Sequence, residues 1–167
     1  MIYIYFIYGL AFFTMGLTIL LIPRKGSAFS FARDLWLIAA FGITHGANEW
    51  LDMFILIKGA QAALPLRAAR GIVLPLSFLF LVQFFVRSAQ KARPRPALRA
   101  LPWGLFALWA GATAMSPRPL LAGDIWARYL LAAPGAILTS WVLFRQDDRR
   151  DDARPRLVQE RQRLAGA

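Results

Sequence analysis

Cysteine is absent from this 167-residue chain, histidine occurs once, and acidic side chains number only nine. The first absence excludes disulfide frameworks, thiolate nucleophiles, iron–sulfur clusters and cysteine zinc sites. Charge is scarce overall: 17% of residues are charged and 58% hydrophobic, whereas soluble domains run nearer a quarter charged and half apolar. Also missing are a Gly-rich phosphate loop, a G-x-S-x-G elbow and any polar stretch long enough to hold a kinase or cyclase fold. The composition points to a single-domain membrane protein without an enzyme signature. Any catalysis by this chain would have to sit among apolar helices.

The charge that is present has mostly one sign. Twenty Lys and Arg stand against nine Asp and Glu. Such an excess can mark nucleic-acid binding, but here the cations gather in short loops between apolar runs. That placement fits cytoplasmic membrane flanks better than a phosphate-reading face. The lipid bilayer is the expected partner, and nucleic acid is not.

Five apolar runs follow one another. Residues 1–22 carry no charged side chain and would extend about 33 Å as a helix, enough for a bilayer core. This run lacks the basic start and small-residue cleavage site of a signal peptide, so it reads as a retained first helix. Tyr3, Tyr5 and Tyr8 suit the headgroup level, and Gly9 and Gly16 share a face that another helix can approach closely. Residues 35–57 form the second run. The third, residues 71–86, is expected to carry Pro75 in its first turn, where proline costs little. Residues 101–115 are the shortest, about 22 Å as a helix, and residues 125–144 are the last. In that last run a kink at Pro134 and Gly135 is expected to free a backbone carbonyl. The mixed-sign segment 145–167 reads as a solvated juxtamembrane tail, helical from Arg156 onward, so the chain divides into a bundle (1–144) and a tail.

These runs predict an all-α fold, a polytopic membrane helix bundle of about five transmembrane helices. Arg24, Lys25 and Arg33 fall on one side together with Arg87, Lys91, Arg93, Arg95, Arg99 and the arginines of the tail. Lys58, Arg67, Arg70 and Arg118 fall on the other. By the positive-inside rule the N-terminus lies outside and the C-terminus in the cytoplasm, with the protein multi-pass in a bacterial inner membrane.

The second run is unlike the others. Its sequence LWLIAAFGITHGANEWLDMFILI places His45, Asn48, Glu49 and Asp52 within about a third of the helix circumference. A charge at the bilayer centre costs at least about 2.5 kcal/mol, so this stripe should face the bundle interior. Gly42 and Gly46 give a GxxxG spacing beside it, which admits a close neighbour. Trp50 lies on another face. Arg128, about one turn into the last run, matches Asp52 in depth and is the expected partner of Asp52 or Glu49, with combined charge reversal at Arg128 and Asp52 expected to restore some of what reversal at Arg128 alone removes.

Three uses of the stripe remain open. It can be structural glue, with every polar group paired. It can respond to a ligand or to protons, because a histidine beside carboxylates titrates near neutral pH. It can hold a metal or haem, although one histidine without cysteine is a poor set, H-x-x-x-E departs from H-E-x-x-H, and only Met15, Met53 or Met115 could give haem a second axial ligand. No cofactor is expected.

With these residues in view, the chain resembles the multi-helix N-terminal membrane sensor region of bacterial sensor histidine kinases and related signalling proteins. Residues 8–54 and 128–146 carry the likeness, most specifically around His45, Glu49, Trp50 and Asp52. The resemblance implies a signal-input module, truncated or split from a two-component system. It has no output domain in this chain and no enzyme activity unless a missing domain or partner supplies it. A cytoplasmic kinase or similar protein and a second copy of the chain are the expected partners. The alternative is a small transporter or proton-conducting subunit whose path the stripe lines.

Overall fold

The computed structural model describes residues 1–22, 32–59, 64–92 and 94–145. Among them every regular element is helical. Helix α1 spans Ile2–Leu21, and a 3-10 turn at Ala32–Asp34 leads into α2, Leu35–Lys58. Helix α3 spans Leu64–Ala92, α4 spans Pro96–Ala114, and α5 runs from Pro119 to Arg145. The loop after Pro23 and the tail beyond Arg145, including the helix expected from Arg156, lie outside the described residues.

Three helices, α1, α3 and α5, are long and apolar enough to cross a membrane, with mean hydropathies of 2.0, 1.9 and 1.3 over their best windows. The five spans read from the sequence are therefore three on this measure. In α2 the stripe itself dilutes the apolar content, and α4 has only 19 residues, with Arg99 in its first turn. Large apolar side chains cover the outside, among them Ile4, Ile7, Ile72 and Ile137, as suits a protein whose surroundings are hydrocarbon.

Helix α3 is the hub. Helices α2, α4 and α5 all pack on it, whereas among the described elements α1 packs on α2 alone. It is longer than its apolar run suggested, because Leu64, Leu66, Ala68 and Ala69 continue the helix backwards through Arg67 and Arg70. Pro75 thus sits in its interior, not in its first turn, and leaves the Gly71 carbonyl without its usual i+4 donor. Contacts of Asp34 with Lys91 and of His45 with Ser77 set α2 and α3 antiparallel. Contacts of Arg70 with Asp124 and of Thr139 with Leu81 set α5 parallel to α3. Leu74, Phe78, Ala127 and Leu131 form one apolar core, and Phe85, Val86 and Val142 form a second nearer the basic end.

The α1–α2 seam is made of glycine. Gly9 and Gly16 of α1 and Gly42 and Gly46 of α2 are all buried. A Cβ on Gly46 would stand 2.6 Å from the Gly9 carbonyl oxygen, and one on Gly42 would stand 2.7 Å from that of Phe12. Backbone meets backbone, so nothing larger than hydrogen fits without moving a helix. Trp50 closes one end of the seam, its indole N–H donating to the Phe6 carbonyl at 3.4 Å.

In α5 the expected proline kink takes a particular form. A π-helical turn at Arg128–Ala132, in which the Ala133 N–H reaches the Arg128 carbonyl, immediately precedes Pro134. The wider turn lies where a regular helix would drive the proline ring into the Leu130 carbonyl. Gly135, one residue on, is buried against Leu81 and Val82 of α3 and lets the two helices approach.

Candidate functional site

The stripe on α2 faces α3, as burial cost demands. Its midpoint is His45, whose ring is surrounded by phenylalanines from three helices. The Phe12 ring meets it edge-on with centroids 4.6 Å apart, Phe41 stacks at 5.2 Å, and Phe78 lies at 5.1 Å. His45 Nδ1 lies 3.1 Å from Ser77 Oγ. The Ser77 hydroxyl donates to the Leu74 carbonyl at 2.7 Å, so its oxygen is the acceptor for an Nδ1–H. That assignment leaves Nε2 facing Glu49 Oε1 at 3.6 Å, an ion-pair separation and not a hydrogen bond.

The arrangement has a definite proton requirement. A neutral imidazole protonated on Nδ1 points its Nε2 lone pair at the Glu49 carboxyl. An ionised carboxylate there would set lone pair against negative charge. One proton removes the conflict, whether it rests on Nε2 or on Glu49. Asn48 is fully enclosed beside them, its amide next to the Glu49 carboxyl.

Farther along the stripe stands an ion cluster. Asp52 Oδ1 pairs with Arg70 Nε of α3 at 2.6 Å, and the same guanidinium donates from Nη2 to Asp124 Oδ1 of α5 at 3.0 Å. Arg128 reaches the Asp124 carboxylate at 3.4 Å, four residues on in its own helix. The expected pairing of Asp52 or Glu49 with Arg128 is therefore replaced. Arg70 neutralises Asp52 and ties it to α5, and Arg128 stands at the rim. The two helices that the sequence seemed to pair, α2 and α5, do not pack directly; α3 lies between them.

Exposure separates the two arginines. The Arg128 side chain is 57% exposed and that of Arg70 is 17%. Arg128→Ala is thus expected to change stability by less than about 1 kcal/mol, read as thermal unfolding in detergent. Exchanging the charges of Asp52 and Arg128 is expected to leave the protein as damaged as Asp52→Arg alone.

The structure thus brings together His45, Asn48, Glu49 and Asp52, and leaves Arg128 outside their direct contacts. Gly9, Gly16, Gly42 and Gly46 belong to the α1 seam, and Pro134 and Gly135 to the α5–α3 contact. Among the described residues no three His, Asp or Glu side chains are grouped to hold a metal ion. Ser77, Arg70 and Asp124 escaped the sequence reading. A signal existed for the first two: His45 and Ser77, like Asp52 and Arg70, are equidistant from the α2–α3 turn and must meet in an antiparallel hairpin. A charge at the edge of an apolar run reads as a helix boundary, which puts Arg70 in a loop on sequence alone.

No protein-family model, curated protein or solved structure matches this chain. The geometry of the site therefore carries the functional argument.

Proposed function

We propose that the chain is a membrane-embedded signal-input module in which the proton shared by His45 and Glu49 is the switch. The observation that carries this reading is the imidazole held by Ser77 and enclosed by three phenylalanine rings, with Glu49 its single ionisable neighbour at ion-pair distance. The charges acting on the pair come from Asp52 on α2, Arg70 on α3 and Arg128 on α5. Gain or loss of the proton changes the attraction between His45 and Glu49 and the grip of His45 on Ser77. Helix α3 receives that change and passes it to α5 through the Arg70–Asp124 pair and the close contact at Gly135.

The polar run favours a switch over a conducting path. From His45 it continues through Glu49 and Asp52 to Asp124 and the exposed Arg128. In the other direction it stops at Phe41 and Phe78, beyond which Leu37, Val82 and Phe85 are buried. A path for protons needs polar groups or water on both sides. In this proposal α2 and α4 also cross the bilayer, giving five spans of a bacterial inner membrane with the N-terminus outside. The chain then works through a cytoplasmic kinase or similar signalling partner, as its resemblance to sensor regions implies.

Reconstitution separates the two uses. Hydrogen–deuterium exchange along α3 and α5 in liposomes is expected to change with pH, and Glu49→Gln is expected to abolish that change while leaving proton permeability at the level of empty vesicles. Proton flux that Glu49→Gln removes would establish the conducting role instead. Exchange that is independent of pH in the unaltered protein would reduce the stripe to helix packing.

A further inference from the structure

The end of the bundle opposite the ion cluster carries a second feature, unrelated to the stripe. A cavity of about 440 Å³ lies where α3 hands over to α4, lined by Asp34, Arg87, Gln90, Lys91, Pro94, Arg95, Pro96 and Arg99. Four cations face one carboxylate. Asp34 is engaged by Lys91 and by Arg87 Nη1 at 3.7 Å. Arg87 also lies over the Trp36 ring, 5.6 Å from its centroid. Among the described residues no carboxylate pairs with Arg95 or Arg99. Gln90 adds a buried amide nitrogen without a hydrogen-bond partner. Pro96 opens α4, and because the Leu98 N–H of that turn already donates to the Arg95 carbonyl at 3.1 Å, it is the Ala97 N–H that lies at the same place.

We propose that this cavity binds the phosphate headgroup of an anionic glycerophospholipid. The chemistry that recognises it is a phosphate diester: two guanidinium forks without carboxylate partners, an amide donor and a helix N-terminus converge on one space. Position selects lipid as the source. Helix α3 is an apolar, membrane-length helix that ends at this cavity, and Trp36 and Arg87 are residue types that settle at the interface of a bilayer. Basic pockets between membrane helices on the cytoplasmic side characteristically hold such headgroups. Pro94 and Pro96 restrict the backbone on either side of Arg95, so that cation is placed before the lipid arrives.

The test uses the full chain in nanodiscs of phosphatidylcholine, alone or three parts to one with phosphatidylglycerol. Phosphatidylglycerol is expected to raise the unfolding temperature and to co-purify on extraction into mild detergent. Arg95→Gln with Arg99→Gln should weaken lipid retention by roughly fivefold per arginine removed. Arg67→Gln with Arg118→Gln, the same loss of charge at the opposite end, should leave retention unchanged. Equal loss in both double variants would overturn the site, as would equal retention in both. Inorganic phosphate reproducing the thermal shift in pure phosphatidylcholine would make it a site for the free anion and overturn the lipid. Retention that appears only after Asp147, Asp148, Asp151 and Asp152 are changed to Asn would assign the cavity to the chain's own tail and equally overturn the proposal.

Discussion

Arg70→Ala is expected to lower stability by about 3 kcal/mol, the largest loss of any single charge removal in the bundle. The substitution leaves Asp52 without its partner and leaves Asp124 with the exposed Arg128 alone. Breaking a buried pair from one side typically costs about 3–5 kcal/mol. The lower end applies because the Arg70 and Asp52 side chains each keep 17% exposure. Arg70→Lys should recover only part of the loss, because an ammonium cannot reach two carboxylates from a rigid fork. Combining Arg70→Met with Asp52→Asn and Asp124→Asn should recover more than Arg70→Lys does, since the cost lies in the orphaned charges and not in the absence of the pair. Unfolding in detergent by heat or by denaturing surfactant measures all three variants. A triple variant weaker than Arg70→Ala would show that the ion pairs themselves hold the helices.

Gly46→Val should unseat α1. The added Cβ would meet the Gly9 carbonyl oxygen at 2.6 Å and the Phe13 backbone nitrogen at 3.0 Å, atoms that cannot rotate away. Helix α1 must therefore move off the seam, and overpacking of this kind costs about 1–3 kcal/mol before the loss of the Trp50 contacts is added. Gly46→Ala should give a smaller loss of the same sign. Gly104 and Gly111 provide the control, because a Cβ at either meets nothing within 4 Å. Gly104→Ala and Gly111→Ala should raise stability by about 0.5–1 kcal/mol through helix propensity alone. If the three alanine variants behave alike, the seam is looser than the glycine contacts require.

Helix identity was legible wherever an apolar run was clean. The second run was read as 35–57 and the helix is Leu35–Lys58, since a 3-10 turn at Asp34 and a positive-φ Gly59 bound it on either side. The direction of the stripe was legible for the same reason that it is costly: four polar side chains on one arc have to turn inward. Its partners were not, because an arginine near an apolar run looks like the end of a helix when no neighbour is in view. Arg70 belongs inside α3 only because Asp52 and Asp124 arrive from α2 and α5. Likewise Pro75 was placed near a helix start, because the preceding turns are held by packing that periodicity does not record. The phenylalanine cage around His45 drew one ring from each of three helices, and no local pattern announces such a set.

The unequal connectivity of α1 bears on how the protein is made. Among the described elements helix α1 touches α2 alone, through backbone contacts complete as soon as those two helices exist. Synthesis in chain order lets this pair form before α3 has left the ribosome. Asp52 then waits for Arg70, which follows it in the next helix and neutralises it. Asp124 joins only when α5 is synthesised. The pair between Arg70 and Asp124 then fastens the final helix to α3, so a chain stopped before Asp124 would carry Arg70 half-paired.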